Sequence, residues 1–299
     1  MKKWFFLLVM LLPLGCEAIQ QEPQAANVEY SKEVDQAQEA APQKKAPTKT
    51  QTKTQTKAQT IKVTKNQIYQ GNLLLVNKQY PVHEEGVTAD VVNLFRDKEL
   101  SQGYVVLDKT IRLSKGVAQK FQTMVNAASK EGVSAFMISS GYRDNKEQSQ
   151  LYKSMGADYA LPAGYSEHNL GLSLDIGSTQ TEMNRAPEGK WLQKNAWAYG
   201  FILRYPKDKT EITGIQYEPW HFRYVGLPHS AIMQEKNFTL EQYLDYLKEQ
   251  ETVSTTIEGK SYEVSYYPVS GNTSIPVPVG RSYELSGNNM DGVIVTLLP

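Results

Sequence analysis

The sequence predicts an α+β fold: a small antiparallel sheet with flanking helices, followed by a small β-rich C-terminal extension. Three observations predict it. At 114–131, Val117, Phe121, Met124, Val125 and Ala128 fall on one helical face, and 133–139 then reads as a buried strand. A second helix and strand, 188–199 and 201–205, are separated by Gly200, a residue suited to ending a helix. From about residue 249 the helical period gives way to two-residue alternation, with Tyr262, Val264 and Tyr266 against Ser261, Glu263 and Ser265.

The elements follow in order. The run NLLLVN at 72–77 is short, apolar and bounded by polar residues, which predicts a strand. Ser114 is placed to cap the helix it precedes, and Gly132 follows that helix. A helix is expected at 145–154 with Gly156 just beyond it, and a strand at 172–176. The last helical pattern, 238–248, has Asn237 or Thr239 as its cap. Pro276 and Pro278 restrict 275–279 to an edge strand or a loop, and 288–292 is turn-like before apolar 293–298.

The chain has 299 residues with 32 basic and 32 acidic side chains, a balance that gives no argument for nucleic acid as a partner. The single cysteine, Cys16, excludes an intrachain disulfide. Lys2 and Lys3 precede an apolar run of 11 residues at 4–14, the form of an export signal and too short for an ordinary membrane span. Leu14-Gly15-Cys16 resembles the lipobox of bacterial lipoproteins, which implies lipid attachment at Cys16 and a place on the outer face of the cytoplasmic membrane, with secretion as the alternative. Pro13 departs from that pattern, where Leu is usual. Residues 17–65 are rich in Gln, Thr, Lys, Ala and Pro, with one aromatic residue, and are expected to be a disordered linker. The expected organisation is therefore a signal at 1–16, a linker at 17–65, a catalytic domain at 66–248 and an extension at 249–299.

Chemistry concentrates in two clusters. Ser166 to Asp175 reads S-E-H-N-L-G-L-S-L-D, and Glu218 to His221 reads E-P-W-H. His168, Asp175 and His221 offer three metal ligands, and a catalytic zinc site leaves a fourth place for water. Glu218 is a carboxylate near enough in sequence to take a proton from that water. His168 and Asp175 are seven apart and would face opposite sides of one straight strand, so a bend at Gly171 is expected. Pro219 disfavours helix at Glu218, leaving a short turn or a bent strand open. His83 and His229 have no partner motif and read as structural.

The first cluster resembles the S-x-H-x-x-G-x-A-x-D signature of the VanY-type D-alanyl-D-alanine carboxypeptidases, a family of zinc peptidases. Glu218 to Gly226 is similar to the family's E-x-W-H-x-R-Y-V-G, and Ser139-Ser140-Gly141-Tyr142-Arg143 is similar to its S-x-x-R segment. The resemblance covers about 66–235, with Ser173 in place of the usual Ala. It implies zinc held by His168, Asp175 and His221, Glu218 as general base, and Arg143 as a cation on the scissile carbonyl or the substrate terminus. Ser166 and Gln148 are implied as substrate contacts. The implied reaction removes the C-terminal D-Ala from peptidoglycan stem peptides. An L,D-carboxypeptidase acting on tetrapeptide stems is the alternative enzyme. A non-catalytic wall-binding module is the alternative of another class, and the intact Glu218 argues against it.

Overall fold

The computed structural model describes residues 57–156 and 160–299. The expected export signal, Cys16 and most of the expected linker lie outside the described residues. Strands are β1 Ala58–Val63, β2 Val91–Asn93, β3 Val105–Val106, β4 Arg112–Ser114, β5 Phe136–Ser140, β6 Ser173–Ser178, β7 Phe201–Leu203, β8 His221–Tyr224, β9 Thr252–Ile257, β10 Lys260–Pro268, β11 Thr273–Pro278, β12 Tyr283–Gly287 and β13 Gly292–Leu297. Helices are α1 Lys115–Lys130, α2 Asn145–Met155, α3 Pro187–Asn195, α4 Thr210–Thr213, α5 His229–Lys236 and α6 Leu240–Gln250.

The central sheet has the order β3-β5-β6-β8-β7, antiparallel except for β3 with β5. Its two faces differ in chemistry because side chains alternate. Leu174, Ile176 and Phe222 enter a core with Phe121, Met124 and Val125 of α1 and Trp191 and Leu192 of α3. Ser173, Asp175, His221 and Arg223 share the opposite face, where Asp175 pairs with His221 and Ser173 with Arg223. Ser114 caps α1 by accepting from Val117 N, and Thr239 caps α6 through a reciprocal pair with Gln242.

Two expectations need correction. First, a strand lies inside the stretch expected to be disordered: 58–63 pairs antiparallel with β11, and Val63 is fully buried. Its low-complexity composition hides a strand whose partner lies more than 200 residues away. Pro276 and Pro278 sit in β11, an edge strand as expected. Second, 72–77 forms no strand. It runs between two cores, with Leu74 and Val76 in the first and Leu73 and Leu75 in a second formed with α5, α6, Val264 and Ile294. Side chains, rather than a ladder, meet much of its backbone: Ser286 Oγ accepts from Leu73 N at 2.9 Å, and Asn289 Nδ2 donates to Leu75 O at 2.8 Å. The 249–299 extension, expected to be β-rich, carries β9 to β13 and shares its cores with earlier parts of the chain. Every residue of β13 is buried: Ile294 joins the second core, and Val293, Val295 and Leu297 join a third with Val63, Ile275 and Val277. The helix α5 was not apparent from sequence, because its apolar residues form no clear stripe.

Candidate metal centre and catalytic site

His168 sits in a one-turn 3-10 helix, Glu167–Asn169, whose first residue follows Ser166; the Ser166 hydroxyl accepts from His168 N at 3.3 Å. The imidazole Nδ1 lies 2.6 Å from Gly141 O, so it donates there and Nε2 is left as the free nitrogen. The bend expected at Gly171 is present, at φ +84°, and a Cβ there would meet Thr88 Oγ1 at 2.5 Å. It returns the chain into β6, which carries Asp175. Glu218 starts a turn with Pro219 second, closed by His221 N donating to Glu218 O at 3.2 Å. The open choice between turn and bent strand is thereby settled as a turn leading into β8.

Three candidate ligand atoms converge. His168 Nε2 is 3.4 Å from Asp175 Oδ1, His221 Nδ1 is 3.3 Å from Asp175 Oδ1, and the two imidazole nitrogens are 3.3 Å apart. Ligands bonded tetrahedrally to zinc at ~2.0–2.1 Å stand about 3.3–3.4 Å from one another, so the triangle has the size that zinc requires. Asp175 Oδ1 is buried and accepts no hydrogen bond. An orphaned carboxylate oxygen facing two imidazoles fits a cation better than it fits the protein alone. These three residues form the group able to hold a metal among the described residues.

Glu218 Oε2 lies 3.6 Å from His221 Nδ1, beside the triangle rather than in it. Burial pushes its carboxyl up to about 7, where it can both take and return a proton near neutral pH. Burial and the neighbouring Arg143 cation bring His168 down to about 4, while Asp175 and Glu167 outweigh burial and raise His221 to about 9, a proton that a bound cation would have to displace.

Arg143 is not a surface residue. Its Nη1 is 3.7 Å from Asp175 Oδ2 and donates to Ser140 Oγ at 2.6 Å, while Nε donates to Gln148 Oε1 at 2.9 Å. Gln148 is itself buried and donates to Leu161 O at 2.6 Å. Gln148 thus holds Arg143 in place. Ser166, Gln148, Arg143, Glu218 and Trp220 all line one cavity of about 320 Å³ with the three candidate ligands, and the apolar cluster of Leu161, Tyr205 and Ile215 forms part of its wall. His83 stacks on Tyr69 and His229 is buried between Tyr243 and Thr296, both remote from that cavity.

Sequence reasoning missed Glu167, Arg204 and Arg223. Glu167 is buried, accepts from Arg204 Nε and Arg223 Nη1 at 2.8 Å each, and lies 3.5 Å from His221 Nε2. The two arginines hold its carboxyl well below the usual range against the opposing effect of burial. A signal was present: F-I-L-R at 201–204 and H-F-R-Y at 221–224 put arginines among apolar strand residues, where a buried charge needs a partner. Ser173, the departure from the family signature, donates its Oγ to Glu167 Oε2 at 3.1 Å.

Comparison with known proteins gives a consistent result. The VanY family model, described as D-alanyl-D-alanine carboxypeptidase, matches residues 110–227. A D-alanyl-D-alanine carboxypeptidase of Enterococcus faecium is 66% identical over 237 residues, 79% of this chain and 78% of that protein. Among solved structures, the vancomycin-resistance D,D-dipeptidase VanXYg in complex with a D-Ala-D-Ala phosphinate analogue aligns with TM-score 0.71 at 35% identity, over 81% of this chain and all of that one. The LdcB LD-carboxypeptidase aligns with TM-score 0.50 at 35% identity, over 57% of this chain and 84% of that one.

Proposed function

The chain belongs to the VanY family of D-alanyl-D-alanine carboxypeptidases, and we propose that it hydrolyses the terminal D-Ala-D-Ala bond of peptidoglycan stem peptides with zinc held by His168, Asp175 and His221. The observation that carries this reading is the triangle of three ligand atoms at 3.3–3.4 Å with Glu218 at its side. Zinc, when bound there, polarises the scissile carbonyl and makes water a competent nucleophile near neutral pH. Glu218 takes the proton of the attacking water and delivers it to the departing amine of D-Ala. Arg143, fixed by Ser140 and Gln148, supplies positive charge to the oxygen on which charge develops, or to the terminal carboxylate.

Mass spectrometry of defined stems tests the reaction. Pentapeptide stems ending in D-Ala-D-Ala should lose one residue, and tetrapeptide stems should stay intact. Cleavage of the tetrapeptide in preference would make the enzyme an L,D-carboxypeptidase.

We also propose that the protein is exported and anchored through lipid at Cys16, a reading supported by the basic start, the apolar run at 4–14 and Leu14-Gly15-Cys16. Among the described residues no helix is long and apolar enough to cross a membrane. Cys16→Ser should move the protein from the membrane fraction to the medium. Retention of the variant on the membrane would overturn the anchor.

A further inference from the structure

The far nitrogen of His221 points away from the candidate ligands and into a buried network. Nε2 lies 3.5 Å from Glu167 Oε2, at the outer limit of a hydrogen bond, and no closer acceptor serves it. A metal-bound imidazole is oriented by what its other nitrogen meets. The position of the Glu167 carboxylate therefore bears on where His221 Nδ1 stands.

Glu167 does not fix itself. Arg223 donates to it with Nη1 and with Nη2 to the carbonyls of Asn72, at 2.9 Å, and Leu74, at 3.0 Å. Those carbonyls belong to a segment without a ladder of its own. The segment is clamped by the C-terminal sheet: Leu73 N donates to Ser286 Oγ, Leu75 N donates to Asn288 O at 3.2 Å, and Asn289 Nδ2 donates to Leu75 O and Pro81 O at 2.8 Å each. A second support converges on the same carboxylate. Arg204 donates to Glu167 and bidentately to Glu241 of α6, at 2.7 and 3.0 Å, and α6 shares a core with Ile294 of β13. The four charges Glu167, Glu241, Arg204 and Arg223 sum to zero, and the two arginines are among the most deeply buried side chains.

We infer that the C-terminal sheet is part of the scaffold of the metal site: through residues 72–75, Arg223 and Glu167 it fixes the ring of His221. An inert cap over the domain would share apolar area with it, but would have no need of buried polar contacts leading to a ligand. Glu167 is the positioning residue of the chain, and Ser173 adds a third donor to it. The inference rests on zinc binding by His168, Asp175 and His221, and its test separates the two.

The test measures zinc affinity by chelator competition on the full chain, with the melting temperature of the metal-free protein beside it. Glu167→Gln should weaken zinc by ~10–100-fold, the usual effect of losing such a partner. Ser286→Ala, and Asn289→Gly, which tolerates the left-handed φ of +65° at that position, should weaken it in the same direction by less. Val277→Ala, in the same extension but outside the network, should lower the melting temperature and leave zinc affinity unchanged. If Ser286→Ala and Asn289→Gly behave as Val277→Ala does, the sheet is only a stabiliser and the inference is overturned. Should Glu167→Gln not fold, Glu167→Asp, which keeps the charge and shortens the reach toward His221, replaces it, and unchanged zinc affinity in that variant counts equally against the role of Glu167. An unmodified protein that binds no zinc sinks the metal reading itself, and the inference with it.

Discussion

Asp175 and His221 stand directly opposite one another in the β6–β8 ladder, with Oδ1 3.3 Å from Nδ1. Directly opposed residues on one face of an antiparallel pair have Cβ atoms ~4.5–5.5 Å apart, so the ladder sets two sides of a metal site before any side chain is adjusted. His168 completes it from a separate turn. Purified protein should therefore carry about one zinc per chain. Metal analysis checks the content; chelation should abolish activity and added zinc restore it, and full activity in metal-free protein would end the mechanism.

Glu218 flanks the ligand triangle without closing it. Glu218→Gln keeps shape and loses the ability to accept a proton. Turnover should fall by ~10²–10⁴ while bound zinc is retained. Zinc lost along with activity would make Glu218 a ligand.

Arg143 offers a cation at the wall of the cavity. If the substrate terminus is read as a free carboxylate, a stem ending in an amide forfeits a charge-assisted contact of ~1.5–3 kcal/mol. The amide should be cut at least about tenfold more slowly than the acid. Equal rates would mark an endopeptidase.

Gln148 should matter through its hold on Arg143. Gln148→Leu leaves Arg143 Nε and Leu161 O without their present partners in a buried place, a cost of ~1–3 kcal/mol each. Melting temperature and kcat/KM should both fall. Gln148→Glu, which still accepts from Arg143, should recover more activity than Gln148→Leu; the reverse ranking would remove Gln148 from the support of Arg143.

His229 gives a pH dependence remote from the metal. Burial holds its pKa down to about 3 in the folded state, against 6.5 ordinarily. The unfolded chain binds more protons than the folded one between those values. Stability is thus full above 6.5 and falls by up to ~1.4 kcal/mol per pH unit as pH drops toward 3. His229→Gln should be less stable at pH 7 but flatter between pH 6.5 and 4 by thermal denaturation. Parallel slopes would show that His229 does not carry this effect.

By itself the sequence determined what depends on near neighbours and residue chemistry. Ser114 as a cap, Thr239 as one of two cap candidates, Gly171 as the bend before β6, and His168, Asp175, His221 and Glu218 as a candidate cluster were legible because caps, bends and donor types are local properties, while Arg143 joined them through the family resemblance. Tertiary structure decided what depends on distant partners. Whether 58–63 is linker or strand rests on β11, and whether 72–77 is a strand or a clamped segment rests on Ser286, 213 residues from Leu73. Glu167 looks like any acidic residue in the chain until folding brings Arg204, Arg223 and His221 around it. A buried charge is defined by its surroundings, and those are assembled only when strands far apart in sequence pair.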